Sequence, residues 1–230
     1  MGWLELAAAL AAFALSHAVP VRPPVRGMLV NRLGARGFTA AYSTLSLAML
    51  GWVIVAAGRA PHVPLWDWAA WRAALPFGVM GAVCLLLTFG LARPNPFSFG
   101  GRGNACFDPA RAGVVRWLRH PLLAALALWA LAHLAANGDL AHVIVFGLFA
   151  GFAVLGMAMV DRRKRRELGP DWHALRARLR AAPRWQPPLS WTGAVVRAGL
   201  AVLFYAVLLW GHAWFAGVRP TWPWPLAWPG

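Results

Sequence analysis

Residues 121–160 read PLLAALALWALAHLAANGDLAHVIVFGLFAGFAVLGMAMV, and this stretch decides the fold. It contains no Lys, Arg or Glu, and Asp139 is its only acidic residue. Two apolar runs, 121–136 and 139–160, meet at the polar turn 137–139. At about 1.5 Å per helical residue, such runs approach the roughly 30 Å of a hydrocarbon core. The sequence therefore predicts a membrane-embedded helical hairpin whose facing residues are in contact.

Four further apolar stretches lie near residues 2–21, 37–57, 71–92 and 194–217. The chain of 230 residues is 60% hydrophobic and 13% charged, which is too apolar for a soluble domain. The predicted fold class is all-α, a polytopic membrane helical bundle with about six transmembrane helices in a single integral membrane domain, 1–230. The first stretch has neither a basic region before it nor a small-x-small cleavage site, so we expect it to be retained as a span.

The basic residues alternate between segments. The formal net charge is +15, and segments 22–36, 93–120 and 161–193 carry four, five and nine Lys or Arg residues. The segments between them carry few. Short basic runs between apolar stretches do not form the continuous basic face of a nucleic-acid-binding protein. The positive-inside rule instead places these segments in the cytoplasm and both termini in the periplasm.

Two of the inner segments differ in composition. Residues 93–113 are rich in Gly and Pro, which predicts irregular structure. Residues 161–180 are strongly cationic and are predicted to extend the fifth span as a helix that lies on anionic lipid. The sequence VVRWLRH at 114–120 is expected to add a helical turn before Pro121.

Histidines are the main ionisable residues at membrane depth. The predicted topology places His17 and His120 toward the inner face, and His133, His142 and His212 between the middle and the outer face. Imidazole ligates haem iron, and helical bundles build cofactor sites from histidines on facing helices. A hydrogen-bonded core histidine is the structural alternative for each of them. Five histidines in six spans favour a functional site.

Other polar residues at the span boundaries have structural interpretations. Asp139 is placed to N-cap the fifth span, and Asn137 shares its turn. Asp161 precedes five consecutive basic residues, which predicts a local ion pair. Arg119-His120-Pro121 combines a cation, an imidazole and a helix-starting proline at headgroup level, as an interfacial anchor or as part of a site.

The sequence resembles the NnrU family of bacterial membrane proteins over most of residues 5–170, with the sixth span, about 194–217, beyond this core. Plant and cyanobacterial relatives of this family include 15-cis-zeta-carotene isomerase. The motifs that carry the resemblance are Ser16-His17, Gly34-Ala35-Arg36, Tyr42, Arg119-His120-Pro121, Leu131-Ala132-His133 and Asn137-Gly138-Asp139.

The resemblance implies a multi-pass protein of the bacterial inner membrane that binds haem b. NnrU proteins are linked to denitrification and nitric oxide metabolism, whereas the isomerase acts on a lipophilic carotene under redox control. The two haem ligands of the isomerase correspond to His17 and His133, and its cysteine three residues before the second ligand corresponds to Ala130. The residues expected around the haem, or in an alternative site, are Arg119, His120, Asn137 and Asp139.

The depths of the two implied ligands leave alternatives open. His17 lies about four residues from the inner end of its span and His133 about twelve from Pro121, a difference of roughly 12 Å at about 1.5 Å per residue. Tilted helices or an oblique haem would account for part of this difference in depth. Otherwise His120 would pair with His17, and His133 would pair with His142 or His212.

A second resemblance leads to a different function. Isoprenylcysteine carboxyl methyltransferases, which use S-adenosylmethionine, also have an Arg-His-Pro before a span, a helical hairpin and a tail similar to residues 168–185. Their paired glutamates correspond to Asp161 and the basic residues after it, with Glu167 alone nearby. Under this alternative, Arg119, His120 and the basic tail would bind the cofactor at the inner face. A third alternative is a non-catalytic membrane assembly or transport partner with structural histidines.

Overall fold

The computed structural model describes residues 2–67 and 69–220. These residues form seven α-helices and no strand, apart from an isolated antiparallel bridge between Pro64 and Asp139. The helices are α1 (Gly2–Ala18), α2 (Pro23–Arg59), α3 (Ala70–Gly90), α4 (Pro121–Ala136), α5 (Leu140–Leu168), α6 (Pro170–Ala181) and α7 (Trp191–Ala216).

Four of these helices, α2, α3, α5 and α7, are long and apolar enough to cross a membrane, while α1 and α4 are shorter apolar helices. Together they correspond to the six predicted apolar stretches, with small differences at the ends. Large apolar side chains remain exposed on α7, among them Val202, Leu203 and Trp210, which is 77% exposed. Because water disfavours such a surface, it is suited to lipid. The all-α membrane fold is confirmed.

The chain divides into two compact units, and the first contains residues 2–67 and 138–145. In this unit α1 packs antiparallel to α2, with Glu5 Oε1 3.1 Å from Arg59 Nη1 near one end. Small and branched residues are buried in both helices. Within α2, Gly34 has φ 71° and ψ 165°, which is non-helical, so residues 23–33, most of the basic segment 22–36, form a separate first part of this helix.

The turn before α5 is paired with residues 63–65 in the same unit. Leu65 N donates to Gly138 O at 2.7 Å, and Leu140 N donates to Val63 O at 2.9 Å. A Cβ atom at Gly138 would overlap the carbonyl oxygen of Trp66. Glycine is therefore required here by the close approach of two backbone segments.

The second unit contains residues 69–137 and 146–220. Helices α3 and α4 approach closely where the Cα of Gly90 faces Pro121. Helix α7 is joined to α3 by Tyr205, whose hydroxyl donates to Phe77 O at 3.0 Å. Arg197 of α7 also donates to the carbonyl oxygens of Thr88 and Leu91. These bonds satisfy carbonyl groups at the end of α3, where the helix itself offers no donors.

Side chains of α4 and α5 are in contact within the second unit, as predicted for the hairpin. The Trp129 ring lies edge-on to Phe146, with centroids 5.3 Å apart, and stacks on Phe149 at 5.7 Å. Leu123 packs against Gly156. Aromatic rings and a leucine packed on a glycine therefore both contribute to this interface.

The segment between α3 and α4 is irregular, as predicted, with three short 3-10 helices. It forms a small core with α6 from Phe97, Val115, Trp172 and Leu179. The helical turn expected from residues 114–120 is present as the 3-10 helix Gly113–Arg116, but it is not continuous with α4, because His120 has a non-helical φ of −118° and ψ of 66°.

The basic segment after the fifth span is helical, as predicted, but it does not form one continuous helix. Helix α5 ends at Leu168, and Gly169 has φ 54° and ψ −131°. Pro170 then begins α6, where its fixed φ and missing N–H are tolerated. The Gly-Pro pair therefore redirects the chain, and this allows α6 to pack on the segment between α3 and α4.

Candidate functional site

A buried polar network lies before α4, where the sequence predicted Arg119 and His120 as site residues. His120 Nε2 lies 2.9 Å from Asp161 Oδ1, and His120 Nδ1 lies 3.0 Å from Ser98 Oγ. Arg119 Nη2 donates to Asp161 Oδ2 at 2.7 Å. The side chain of His120 is 5% exposed, and that of Asp161 is 21% exposed. Asp161 therefore connects α5 to the chain before α4.

The hydrogen bonds define the protonation of this network. An ionised carboxylate only accepts hydrogen bonds, so His120 Nε2 carries the proton that points to Asp161. His120 Nδ1 then accepts from the Ser98 hydroxyl. Burial lowers the pKa of His120, Asp161 raises it, and the Arg119 charge lowers it, with a net decrease. The imidazole is neutral in this arrangement, and both of its nitrogens are occupied.

The predicted local ion pair of Asp161 is wrong. Its partners are Arg119 and His120, more than 40 positions away in the sequence. The basic residues that follow it pair with Glu167 instead, through Arg163 at 3.2 Å and Lys164 at 2.8 Å. Charge order along the chain could not reveal that α5 directs Asp161 toward the start of α4.

Asn95 and Ser98 complete this network, and sequence reasoning missed both. Asn95 Nδ2 donates to Arg119 O at 2.9 Å, and Asn95 Oδ1 accepts from Phe97 N at 3.1 Å. Asn95 N donates to Asn104 Oδ1 at 2.8 Å. The only available signal was their position in the irregular segment 93–113, where the sequence does not distinguish a buried amide from a turn residue.

In the first unit, His17 lies near the end of α1. Its Nδ1 is 2.8 Å from Phe13 O, one turn earlier, and 3.3 Å from Ser16 Oγ. The ring stacks on Phe13 with centroids 4.0 Å apart and meets Tyr42 of α2 edge-on at 5.8 Å. Because a carbonyl oxygen only accepts, Nδ1 carries the proton in this hydrogen bond.

In the second unit, His133 has the same local geometry. Its Nδ1 lies 2.8 Å from Trp129 O, one turn earlier in α4. Its ring contacts Phe146 and lies 6.4 Å from the ring of His212 on α7, with the two planes 19° apart. His212 Nδ1 donates to Val218 O at 2.7 Å. The structure thus brings His133 and His212 together, as one of the open alternatives anticipated.

The turn residues Asn137 and Asp139 cap helices. Asn137 Nδ2 donates to His133 O at 2.7 Å, and Asp139 Oδ1 accepts from His142 N at 3.2 Å. Asp139 Oδ2 also lies 2.6 Å from His142 Nδ1. Burial raises the pKa of Asp139, but the hydrogen bonds and charge of His142 outweigh it and leave the pKa below its usual value. The predicted N-cap is confirmed.

These geometries separate the histidines by their capacity to ligate iron. His17 and His133 each have Nδ1 fixed by a backbone carbonyl, which is the usual outer hydrogen bond of a metal-ligating histidine. His120 uses both nitrogens inside its network. Across residues 2–67 and 69–220, no group of three or more His, Cys, Asp or Glu residues is placed to hold a metal ion. Two axial imidazoles suffice for haem.

Comparison with known proteins identifies the family. The model of the NnrU protein family matches residues 5–220. This range extends past the predicted core, 5–170, and includes all of α7. No curated protein and no solved structure matches the chain significantly. The matched range covers nearly the whole sequence, and the chain therefore belongs to the NnrU family.

Proposed function

We propose that this NnrU family protein binds haem b in the bacterial inner membrane and acts in nitrogen-oxide metabolism. His17 and His133 are the proposed axial ligands. The observation that carries the proposal is that both imidazoles donate Nδ1–H to the carbonyl oxygen one helical turn earlier. This bond orients the ring and places a proton on Nδ1, which selects Nε2 as the nitrogen that would ligate iron.

The surroundings of each histidine support this role. Phe13 and Tyr42 flank the His17 ring, and Trp129 and Phe146 flank the His133 ring. Aromatic surfaces of this kind suit a flat apolar macrocycle and exclude water from the ligands. When bound, the haem would supply a redox-active iron. The protein would supply two neutral imidazoles in fixed tautomers.

Ala130 favours the nitrogen-oxide role over an isomerase-like role with a ligand exchange. This residue is fully buried in α4, one turn before His133, and it occupies the position of the cysteine in the isomerase relatives. A methyl group cannot become a thiolate ligand. An isomerase-like, redox-regulated enzyme therefore remains the secondary form of the proposal, with imidazole ligands alone.

The test is a visible spectrum of the purified full-length protein. We expect a Soret band, with split α and β bands after reduction, as for six-coordinate haem b. His17→Ala and His133→Ala should each abolish or shift these bands. His173→Ala, which removes an exposed histidine of α6, is the matched control and should leave them unchanged. Full haem retention in the His17→Ala/His133→Ala double variant would contradict the assignment.

His212→Ala distinguishes the proposed ligand pair from the outer cluster. If haem is lost with His133→Ala and His212→Ala but retained with His17→Ala, iron is held by His133 and His212 instead. Nitric oxide added to the reduced protein tests the proposed role directly. A shifted Soret band supports it, and an unchanged spectrum argues for the isomerase-like form.

A further inference from the structure

Positive charge is concentrated around Asp161 on the side predicted to face the cytoplasm. Arg119 forms an ion pair with this carboxylate, with Nη2 2.7 Å from Oδ2. The charges of Arg119, Arg180, Asp161 and Arg165 all act on the guanidinium group of Arg176. Arg119, Arg165 and Arg180 therefore lie within electrostatic range of Arg176, together with the Asp161 carboxylate that Arg119 binds. The arginine cluster, defined as Arg119, Arg165, Arg176 and Arg180, has an excess of three positive charges.

Arg176 has a polar group that the protein does not satisfy. Its Nε is buried and has no hydrogen-bond partner in the part of the chain that the structure describes. Burying such a donor without an acceptor is unfavourable. Burial, followed by the charges of Arg119 and Arg180, lowers the pKa of Arg176, against the opposing effect of Asp161. An anion bound beside this guanidinium group would offset the repulsion.

The other members of the cluster leave access for a ligand. Arg165 and Arg180 are exposed, and their guanidinium groups make no hydrogen bond or ion pair within residues 2–67 and 69–220. Glu167 follows Arg165 closely in the sequence, but its carboxylate is paired with Arg163 and Lys164. The excess charge is therefore not neutralised by another side chain of α5.

The cluster lies at a membrane boundary. Asp161 directly follows the apolar run 139–160. Arg116 Nη2 donates to Arg180 O at 3.0 Å, and the next residue, Trp117, meets Trp185 edge-on at 5.5 Å. Trp185 is 86% exposed. Tryptophan side chains prefer the headgroup level of a bilayer, where lipid phosphates are found.

We propose that the arginine cluster binds a phosphate-bearing anion at the cytoplasmic boundary of the membrane. Guanidinium groups match phosphate oxygens through paired N–H donors, which a single ammonium group cannot offer. The phosphate comes from an anionic phospholipid headgroup or from a soluble phosphate compound. The site does not depend on haem, and it uses Arg176, which the haem proposal leaves unexplained.

The experiment uses full-length protein in mild detergent, titrated separately with phosphatidylglycerol, phosphatidylcholine and pyrophosphate. Native mass spectrometry counts retained lipid, and thermal unfolding reports pyrophosphate binding. The test variant is Arg165→Gln/Arg176→Gln. Its matched control is Arg162→Gln/Arg166→Gln, which removes the same charge from exposed positions of α5. We expect the test variant to bind about 10- to 30-fold more weakly, and the control to change binding by less than about threefold.

The outcomes distinguish the two sources. Retention of phosphatidylglycerol over phosphatidylcholine, lost in the test variant, identifies a lipid headgroup, whereas stabilisation by pyrophosphate alone identifies a soluble phosphate. Binding of neither probe, or equal losses in test and control variants, would overturn the proposal. If the Arg165→Gln/Arg176→Gln variant does not fold, the same titrations are made with Arg165→Lys/Arg176→Lys, which keeps the charge and loses the paired N–H donors. Weaker binding then supports the site, and unchanged binding rejects it.

Discussion

At the scale of single residues, Asp161 is the charge on which the second unit's polar network depends. It accepts from Arg119 and His120, and His120 in turn accepts from Ser98. Each of these groups is at least partly withdrawn from water. Loss of the carboxylate therefore removes the acceptor of two donors at once, and neither donor can be fully rehydrated.

We expect Asp161→Asn to lower the free energy of unfolding by about 1–3 kcal/mol, because it leaves Arg119 and His120 without their shared charged acceptor. The matched control is Glu167→Gln, which removes an exposed carboxylate from the same helix and should cost about 0–1 kcal/mol. Denaturant titration of both variants in the same detergent measures the difference. Equal losses would show that the network contributes no more than a surface ion pair.

His120 gives stability a defined dependence on pH. Its pKa is lower in the folded protein than the ordinary value near 6.5, chiefly because of burial. The unfolded state therefore binds a proton at a higher pH than the folded state. The stabilisation is complete above about pH 6.5 and is lost as the pH falls through the folded-state pKa.

Thermal unfolding of the wild type at pH 7.5 and pH 5.5 should show a decrease that His120→Asn reduces, because asparagine does not titrate. Asp161 and Arg119 are the charged groups facing this ring, and the Asp161 carboxylate favours protonation. A pH slope equal in wild type and variant would mean that other groups cause the decrease.

At the scale of helices, the contact between α3 and α4 depends on the absence of a side chain. A Cβ atom at Gly90 would lie 2.5 Å from Pro121 Cβ. Proline cannot yield, because its ring is fixed at the first turn of α4. Gly81, nine residues earlier in α3, has no neighbouring atom within 4 Å of its Cβ position.

Gly90→Ala should therefore lower the free energy of unfolding by about 1–3 kcal/mol through overpacking. Gly81→Ala should be neutral or stabilising by up to about 1 kcal/mol, because alanine favours a helix. The opposite signs can be read from denaturant titrations of the two variants. A stabilising Gly90→Ala would show that the helices separate without cost.

The long helices α2, α3, α5 and α7 were predictable from the sequence, because lipid requires about 20 consecutive apolar residues and the chain shows them directly. The Asp139 cap was predictable for a similar reason, since its effect is local. The break at Gly169 and the partners of Asp161 were not. Both depend on how distant segments pack, and hydrophobic periodicity contains no information about which charged side chain a buried imidazole will meet.

At the scale of the whole molecule, orientation follows from the distribution of charge. The nine basic residues in 161–193 and the five in 93–120 resist translocation, whereas residues 137–139 contain none. The structure adds that Arg119, in the second segment, is bound to Asp161, at the start of the third. The two segments must therefore lie on the same side of the membrane, which agrees with the alternation of charge.

We expect reporter fusions to locate the C-terminal residue in the periplasm, because three basic-rich segments alternate with three segments poor in Lys and Arg. Alkaline phosphatase fused after Gly230 should be active, and a fluorescent reporter that matures only in the cytoplasm should be dark. Fusions after Trp185, within the third basic segment, are the matched control and should give the reverse pattern. Fluorescence from the Gly230 fusion would invert the predicted topology, and it would place the arginine cluster on the periplasmic side of the membrane.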